Sequence, residues 1–392
     1  MKFSVDAANL KAAMNRMLPL LKTRQYATIF PDYMHIVANE NGAFLIGDVG
    51  TYALEIKLQA DVQNFGKAYL HHSEIKRISG VSGLVTVSKE NKHVCFQCSK
   101  KRVELADHDC DVPEGFYRKS EFDIRLFDIK AGNLCDAFAS VMPALAVEDT
   151  REMLTGYYLN GRSGKVIACD GYRLHAAKLD FQNDSIDMLD LNHTIRGEAY
   201  AHMKAILKHD MGMNVSVHNM EHFLKFVGED FEYYAGYING EYINVDSIIP
   251  KQHEYDFKIN ASELAGIAKE YVSQCGKDGV MALFASDNRM YAALAMDGYC
   301  TVDAMEHFES DYMPESGSYF TLFNPTYIKD AMASFKKGEK VAAYGTYRAH
   351  IGSNVHPTMF VSDKLECLVL PVRGSCDKVD VFNRLIFNMK SA

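Results

Sequence analysis

The sequence predicts an α+β protein that contains three copies of one domain. Two observations carry this prediction. One apolar pattern returns three times along the chain, and within each copy the hydrophobic period changes from about two residues to about 3.6, which marks a strand followed by a helix. The chain has 392 residues, of which 48% are hydrophobic. At roughly 100–200 residues per domain, such a chain can bury the cores of two to four domains.

The repeated pattern is longest at the start of each copy. The segments FSVDAANLKAAM, FDIKAGNLCDAF and FKINASELAGIA begin at Phe3, Phe127 and Phe257, so the copies are 124 and 130 residues apart. These spacings are too long for a solenoid repeat and match whole domains. We therefore expect three domains in sequence.

Each copy opens with an alternating pattern and continues with a helical one. A Phe is followed two positions later by a β-branched residue, which predicts a short strand. The apolar residues that follow recur at i, i+3, i+4 and i+7, which predicts a helix with one buried stripe. The three stripes are Leu10, Ala13, Met14 and Met17; Leu134, Ala137, Phe138 and Val141; and Leu264, Ile267, Ala268 and Tyr271.

Two further markers return in the same order in every copy. Segments around Asp48, Asp170 and Asp297 predict strand, turn and strand. A second short helix follows, with the triplets Glu74-Ile75-Lys76, His202-Met203-Lys204 and Tyr327-Ile328-Lys329. Chance similarity in apolar patterning is the alternative, and three markers in one order weigh against it. Each copy is thus predicted to run helix, strands, helix, strands, with both helices on one side of the sheets.

Clusters of Pro, Gly and charged residues predict the domain boundaries. We expect an N-terminal domain at 1–119, a central domain at 120–250 and a C-terminal domain at 251–373. A C-terminal extension follows at 374–392, with its own apolar residues Val379, Phe382, Leu385 and Ile386.

Charge and cysteine content limit the class of protein. Lys and Arg total 42 against 51 Asp and Glu, a net charge of −9, so any binding to nucleic acid requires a local basic patch. The nine cysteines are scattered without a dense framework, which favours a reducing compartment. The opening MKFSVDAANL is unlike a signal peptide, and no apolar run approaches the ~18 residues of a membrane span. We expect a soluble, cytoplasmic protein.

Four stretches make the pattern specific. The opening MKFSVDAANL, the segments MLTGYYLN (153–160) and ACDGYRL (168–174), and LECLVLPVR (365–373) resemble the bacterial DNA polymerase III beta subunit, the beta sliding clamp. NGEYINVDSIIPK is a weaker match to that family's link between its second and third domains. The resemblance covers essentially the whole chain up to Arg373.

The resemblance implies an architecture and a function. Two chains would pair head to tail, so that six DNA-clamp domains close a ring with helices around the hole and sheets outside. Such a ring is a non-enzymatic processivity factor without cofactors. Its partners would be double-stranded DNA held without regard to sequence, the DNA polymerase III catalytic subunit, the clamp loader, other clamp-motif proteins and a second copy of the chain, with no membrane.

Sliding requires attraction to phosphates without contacts that read bases, so flexible basic side chains are the expected DNA ligands. Candidates on or beside the predicted helices are Lys11, Arg16, Lys22, Arg24, Lys76, Arg77, Lys204, Lys208, Lys269, Lys329, Lys336 and Lys337. Arg24 is similar in place to a DNA-contacting arginine of the family. The alternative for each is an ordinary solubilising surface charge, and the recurrence of Lys76, Lys204 and Lys329 at matching positions favours contact with DNA.

The resemblance also implies an apolar groove for short partner peptides between the second and third domains. Its expected walls are Leu154, Gly171, Tyr172, Arg173, Leu174, Ile248, Asn324, Tyr327, Leu368, Val369, Leu370, Pro371, Val372 and Arg373. Apolar anchors with a few polar groups at the rim suit a peptide hot spot. The alternative is that 368–372 is only a core strand.

The chain departs from the family pattern beside this groove. The family often has Pro where Ile243 stands and Arg where Ser247 stands. Family chains commonly stop near the position of Arg373, whereas this chain continues for the 19 residues of 374–392. That extension could lie over the groove, compete with partner peptides or fray.

Enzymatic interpretations have little support. Cys95 and Cys98 form a C-x-x-C within an alternating strand pattern and have no second pair at zinc-ligand spacing. His71-His72 fits a loop and helix start, and no nucleophile elbow, P-loop, H-E-x-x-H or dinucleotide motif occurs. We expect no catalytic residue and no metal. Three alternatives stay open: a nuclease, which would need clustered carboxylates; a diverged or mobile-element clamp paralogue; and a scaffold that never encircles DNA.

Overall fold

The computed structural model describes residues 1–23, 33–108, 120, 122–184, 191–276, 279–287, 289–296, 299–312, 319–350, 353–373 and 379–384. Within these ranges the chain contains one succession of elements three times over. We name the three successions repeat 1 (2–106), repeat 2 (123–238) and repeat 3 (255–369).

Repeat 1 holds one long helix, a 3-10 helix and nine strands. They are β1 (Lys2–Asp6), α1 (Ala7–Leu21), β2 (Tyr33–Asn39), β3 (Gly42–Asp48), β4 (Tyr52–Leu58), β5 (Ala60–Asn64), β6 (Gly66–His71), the 3-10 helix His72–Gly80, β7 (Leu84–Glu90), β8 (His93–Gln97) and β9 (Arg102–Ala106). The second helix is therefore 3-10 in form, and two β-branched residues, Ile75 and Ile78, are the buried side chains of this short segment.

Repeat 2 contains the same order with a true second helix. Its elements are β10 (Asp123–Lys130), α2 (Ala131–Val141), the 3-10 turns Met142–Ala144 and Glu152–Thr155, β11 (Gly156–Asn160), β12 (Lys165–Cys169), β13 (Arg173–Lys178), β14 (Phe181–Asp184), β15 (Asn192–Arg196), α3 (Ala199–Leu207), β16 (Asn214–Met220), β17 (Phe223–Val227) and β18 (Phe231–Ile238). A 3-10 turn, Val245–Ser247, follows it.

Repeat 3 adds one short hairpin to this plan. Its elements are β19 (Tyr255–Asn260), α4 (Ala261–Cys275), β20 (Met281–Ser286), β21 (Arg289–Met296), β22 (Tyr299–Ala304), β23 (Phe308–Tyr312), β24 (Phe320–Phe323), α5 (Pro325–Ala333), β25 (Lys340–Gly345), β26 (Ala349–His350), β27 (Ser353–Asn354), β28 (Thr358–Val361) and β29 (Leu365–Val369). A helix at 379–384, the tail helix, lies in the C-terminal extension.

The strand pairings repeat as closely as the element order. The first strand of each repeat lies between two antiparallel neighbours: β1 between β5 and β7, β10 between β14 and β16, and β19 between β23 and β25. The first pairing has a register shift in all three cases. The three repeats therefore share strand order and a local irregularity as well as the sequence pattern.

Two further antiparallel pairings join consecutive repeats. The fourth strand of repeat 1, β4, pairs with the last strand of repeat 2, β18. The fourth strand of repeat 2, β13, pairs with the last strand of repeat 3, β29. Within the described ranges, the corresponding strands that complete this series, β9 and β22, are each the edge of a sheet.

The apolar stripes predicted for the helices are the buried faces. Leu10, Met14 and Met17 of α1 and Leu264 of α4 are at most 1% exposed. Side-chain caps fix the helix starts: Asp6 Oδ1 accepts from Ala8 N at 2.8 Å, Asn260 Oδ1 from Glu263 N at 3.2 Å, and Asn324 Oδ1 from Thr326 N at 2.8 Å. Such caps stabilise a helix by about 1 kcal/mol each.

By internal contacts the chain divides into two compact units. Unit 1 comprises 1–136, 159–164 and 179–239, and unit 2 comprises 137–158, 165–178 and 240–392. Repeat 1 and the β16–β17–β18 part of repeat 2 thus belong to unit 1, and repeat 3 with the β12–β13 hairpin belongs to unit 2. In the described chain, no helix has the length and apolarity needed to cross a membrane. The boundaries 119/120, 250/251 and 373/374 remain predictions.

Candidate functional site

The expected groove residues gather in unit 2 around one apolar cluster. Leu154, Leu174 and Leu368 are at most 3% exposed and belong to one buried cluster, here called the floor, with Ile167, Cys169, Ala176, Val245 and Met359. Half-buried apolar residues pack against this floor, among them Leu370 and Ile243. The structure therefore brings together residues that are more than two hundred positions apart in the sequence.

A tight turn between β12 and β13 carries part of the rim. Asp170 Oδ1 accepts hydrogen bonds from the backbone N–H groups of Tyr172 and Arg173, both at 2.9 Å. Gly171 within the turn has φ +88°, a conformation that costs little only for glycine. The turn projects Tyr172 outward, so that 60% of its surface is exposed beside the apolar floor.

Arg173 is fixed by three contacts. Its Nε donates to Asp170 Oδ2 at 2.9 Å and its Nη1 donates to Asp330 Oδ2 at 2.6 Å. Its guanidinium lies 4.6 Å from the centre of the Tyr327 ring. With the side chain only 11% exposed, this pairing is shielded from solvent and resists screening by salt. Arg173 therefore ties the β12–β13 turn to α5.

Aromatic and apolar side chains complete the rim. The rings of Tyr172 and Tyr327 are stacked at 6.0 Å, and Ile248 is 36% exposed. Asn324 is the cap of α5, so it positions Tyr327 at the first turn of that helix. An apolar floor under a rim of tyrosines and charged groups has the composition of a peptide hot spot.

The last wall is the end of β29. Leu174 lies opposite Leu368 in the β13–β29 ladder, and beyond the ladder Leu370 N donates to Tyr172 O at 2.9 Å. Leu368 and Val369 are buried, Leu370 and Pro371 are half-buried and Arg373 is exposed. The segment is thus a core strand up to Val369 and a surface wall after it.

Val372 belongs to a different cluster from the one expected. Its side chain packs against the cluster that contains Phe320, Leu322 and the tail helix residues Val379 and Phe382. Val372 is therefore not part of the groove wall, because the chain has left the β13 ladder at this point and Val372 N donates to Leu322 O on β24 at 2.7 Å.

Sequence patterns did not single out several groups that shape this region. Asp330 is the second partner of Arg173, and it directly follows the recurring Lys329. Tyr158 and Tyr242 stack at 4.6 Å and pack against the floor. Hydrogen bonds from Arg151 lower the pKa of Asp149 to about 2, so this pair beside Gly171 stays charged.

Most of the predicted basic residues are at the surface. Lys22, Lys76 and Arg77, Lys204 and Lys208, and Lys269, Lys336 and Lys337 are exposed. Lys329 is partly exposed, and its ammonium lies 3.1 Å from Asp330. Arg24 lies outside the described residues. Lys76, Lys204 and Lys329 each lie on the second helix of a repeat, so one basic position recurs in all three.

Arg16 and Lys11 have contacts that compete with a role at DNA. The Arg16 guanidinium makes a bidentate pair with Asp230: Nη1 donates to Oδ2 at 2.6 Å and Nη2 donates to Oδ1 at 2.9 Å. Arg16 is only 9% exposed. This burial corrects the expectation that Arg16 faces DNA. The Lys11 ammonium donates to the carbonyl oxygens of Ser79 and Val81 at 2.7 and 2.6 Å, so it closes the end of the 3-10 helix.

Among the residues that the structure describes, no group of three or more His, Cys, Asp or Glu side chains is arranged to hold a metal ion.

The fold of three repeats is similar to that of solved DNA polymerase beta subunits. The beta subunit of DNA polymerase from Streptococcus pyogenes matches it with a TM-score of 0.80 at 18% identity, covering 95% of this chain and 100% of that one. The DNA polymerase sliding clamp from Bacillus subtilis matches with a TM-score of 0.78 at 18% identity, covering 96% and 100%. These matches confirm the predicted α+β fold of repeated clamp domains.

The particular resemblance is to the beta sliding clamp. The beta sliding clamp of Lactococcus lactis subsp. lactis (strain IL1403) is 21% identical over 342 residues, which are 83% of this chain and 86% of that protein. No protein-family model matches the chain. In sequence the chain thus resembles the bacterial beta clamp, and in fold it matches it.

Proposed function

We propose that this protein is a DNA sliding clamp, a processivity factor that encircles duplex DNA as a head-to-tail dimer and tethers a replicative polymerase and other DNA-handling proteins. The observation that carries the proposal is the series of strand pairings. The fourth strand of one repeat pairs with the last strand of the next in β4–β18 and β13–β29, and the equivalent pair β22 and β9 lies at two sheet edges. A second copy supplies the missing partner at each edge, which closes a ring by twofold symmetry.

Equivalent turns give the expected register of this closing pair. Cys98 N donates to Lys101 O at 2.9 Å before β9, as Ser362 N donates to Leu365 O at 2.8 Å before β29. Lys101 in repeat 1 is therefore equivalent to Leu365 in repeat 3, and Glu104 is equivalent to Leu368.

The partner strand is placed in the same way. The pairs Cys169↔Leu174 and Ala295↔Cys300 each join residues five positions apart in the chain, so we take Cys300 as equivalent to Leu174. Leu174 lies opposite Leu368 and Ala177 opposite Leu365. We therefore expect Cys300 of one subunit opposite Glu104 of the next. The same register sets Asp303 opposite Lys101, a favourable charge pair.

The proposed DNA contacts are the exposed basic residues of the helices. Lys22, Lys76, Arg77, Lys204, Lys208, Lys336 and Lys337 carry long flexible side chains that attract phosphates without reading bases. Lys329, partly screened by Asp330, is a weaker candidate. Because the chain carries a net charge of −9, these contacts alone give weak and salt-sensitive binding. The closed ring, and not these contacts, keeps the protein on the DNA.

The proposed partner site is the groove floored by Leu154, Leu174 and Leu368. Its occupant would be a short apolar peptide segment of a polymerase, loader or repair protein, with aromatic or aliphatic anchors on the floor and polar groups at Arg173. We propose that the protein acts through these tethers and not as an enzyme.

Retention on circular DNA tests the function. After a clamp loader has placed the protein on a nicked circular plasmid, the protein should stay bound through gel filtration. The salt concentration is chosen so that proteins held on DNA only by charge dissociate. Cutting the plasmid once should release it, because a ring slides off an end. Equal loss from circular and linear DNA would contradict encirclement, and a monomer mass by light scattering would contradict the ring.

A second candidate is a diverged clamp paralogue with a different partner set. Ile243, where the family often has Pro, packs against the groove floor. Ser247, where the family often has Arg, is exposed, and its hydroxyl donates to Asn244 O at 2.6 Å. Both change the shape and charge of the interdomain side of the groove. Panels of polymerase and repair peptides would separate the candidates, since a paralogue would reject the replicative peptide while the dimer persists.

A further inference from the structure

Strand β20, in the sheet ordered β22-β21-β20-β24-β27-β26, is apolar on both faces. An antiparallel sheet with one face in water alternates apolar and polar residues. β20 instead runs Met281-Ala-Leu-Phe284 with all four residues at most 2% exposed. Met281 and Leu283 share one face of the strand, and Ala282 and Phe284 share the other. The face that carries Ala282 and Phe284 is here called the outer apolar face. Because both residues are buried, another part of the protein must cover this face.

Cross-strand pairs make the outer apolar face continuous. In one row, Leu322, Ala282, Ala293 and Val302 lie opposite one another on successive strands. In the next row, Phe320, Phe284 and Tyr291 do so. The alanines leave a shallow trough between larger side chains, which suits an inserted aromatic ring.

The tail helix occupies this trough. Val379 and Phe382, three residues apart and so on one helix face, are 2% and 3% exposed, and both pack in the cluster of Ala282, Phe284, Ala293, Phe320 and Leu322. The Phe382 ring lies 6.3 Å from the Phe320 ring. Val381, between the two anchors, is 45% exposed and faces away.

The path of the chain leads away from the groove. Leu370 N donates to Tyr172 O at the groove, whereas Val372 N donates to Leu322 O at 2.7 Å on β24. Within two residues the chain thus passes from the groove wall to β24. The side chain of Val372 packs against the cluster that contains Val379 and Phe382.

We propose that the tail helix, residues 379–384 of the same chain, is a built-in cover of the outer apolar face and that it leaves the candidate groove open. The cover does not depend on the proposed clamp function. Its occupant is identified by the seated anchors, by the apolar rows beneath them and by the connection through Val372.

Hydrogen exchange of the full-length protein tests the cover. In the double variant Val379→Ser, Phe382→Ser, the amides of β20, β21 and β24 should exchange at least about tenfold faster, because their covered face becomes accessible. A dye that binds apolar surface should fluoresce more strongly. The matched control Val381→Ser changes the exposed valine of the same helix and should leave both readouts at the parent level. Parent-level exchange in the double variant would overturn the proposal.

A second measurement separates cover from occlusion. A fluorescent peptide taken from the clamp-binding segment of a replicative polymerase should bind the double variant within about twofold of the parent affinity. A several-fold gain in affinity would show that the extension competes for the groove, against the proposal. If the peptide binds neither protein, the proposed groove function fails while the exchange result still decides the cover.

Discussion

At the residue scale, burial separates charged groups that look alike in sequence. Arg16 and Lys22 lie six positions apart on or just beyond α1, and composition gives no reason to treat them differently. The structure buries Arg16 against Asp230 and the Phe231 ring, 5.3 Å away, and leaves Lys22 exposed. The sequence could not predict this because Asp230 comes from a different repeat.

Replacing Arg16 should therefore affect stability and not DNA retention. Arg16→Met keeps the apolar stem but loses the bidentate pair, so the free energy of unfolding should fall by about 1–3 kcal/mol. Lys22→Met should change it by less than about 0.5 kcal/mol. Urea titration measures both. In the plasmid assay, Lys22→Met should have the larger effect and be released from DNA at lower salt than Arg16→Met. A larger effect of Arg16→Met on DNA retention would show that Arg16 does face DNA.

A buried histidine gives the fold a pH dependence. His202 is 1% exposed, and its ring nitrogens lie 2.6 Å from Thr23 Oγ1 and 2.9 Å from Tyr233 Oη. Thr23 donates its hydroxyl hydrogen to Pro19 O, so His202 Nε2 donates to Thr23 and Nδ1 accepts from Tyr233. Burial lowers the pKa of His202 to about 4.

Acidification should therefore destabilise the protein. As the pH falls from about 6.5 to about 4, the unfolded chain binds a proton at His202 and the folded chain does not, a loss of about 3 kcal/mol. His175, whose pKa burial also lowers to about 4, adds to the slope.

Denaturant midpoints at pH 7 and pH 5 measure this slope. His202→Gln should unfold more easily at pH 7 but show a smaller difference between the two pH values. The control His209→Gln changes an exposed histidine just beyond α3 and should keep the parent slope. An unchanged slope in His202→Gln would contradict the assignment.

At the element scale, helices were predictable and groove geometry was not. The stripe beginning at Leu10 is buried as predicted, and so is the stripe beginning at Leu264 except for the half-buried Ile267, because their period is local. The 3-10 form of 72–80 and the place of Val372 depend on tertiary packing that no short window contains. The groove residues were found through family resemblance, whereas Asp330, which fixes Arg173, carried no separate signal.

The β12–β13 turn offers a test of the groove that spares the core. Tyr172→Ala removes an exposed ring that stacks on Tyr327, so peptide affinity should fall about tenfold with little change in thermal stability. Fluorescence anisotropy with the polymerase peptide measures the affinity. Tyr299→Ala removes a similarly exposed tyrosine outside the groove and serves as the control for that assay. Equal affinities for Tyr172→Ala and parent would place the peptide elsewhere.

At the scale of the whole molecule, the sequence showed that one domain pattern occurs three times. It did not show which strands join one repeat to the next. The segments at Phe3, Phe127 and Phe257 predicted three copies, and the matching pairings of β1, β10 and β19 are their structural counterpart. Which strands join consecutive repeats depends on contacts between residues some 180 positions apart, such as Tyr52 and Ala235. Sequence patterning alone carries no such information.

The most direct measurement of ring closure uses a cysteine already present. Cys300 is exposed on β22, and the proposed register sets it opposite Glu104 of the next subunit. Because Cys95 lies opposite position 104 on β8 of the same chain and would compete for a new thiol there, the test is made in a Cys95→Ser background. Oxidised Cys95→Ser, Glu104→Cys protein should run as a covalent dimer without reductant, since cross-strand Cβ atoms lie about 4.5–5.5 Å apart. The triple variant Cys95→Ser, Glu104→Cys, Cys300→Ser should not. A protein that is dimeric by light scattering yet forms no more cross-link than this triple variant would contradict the proposed closure of the ring.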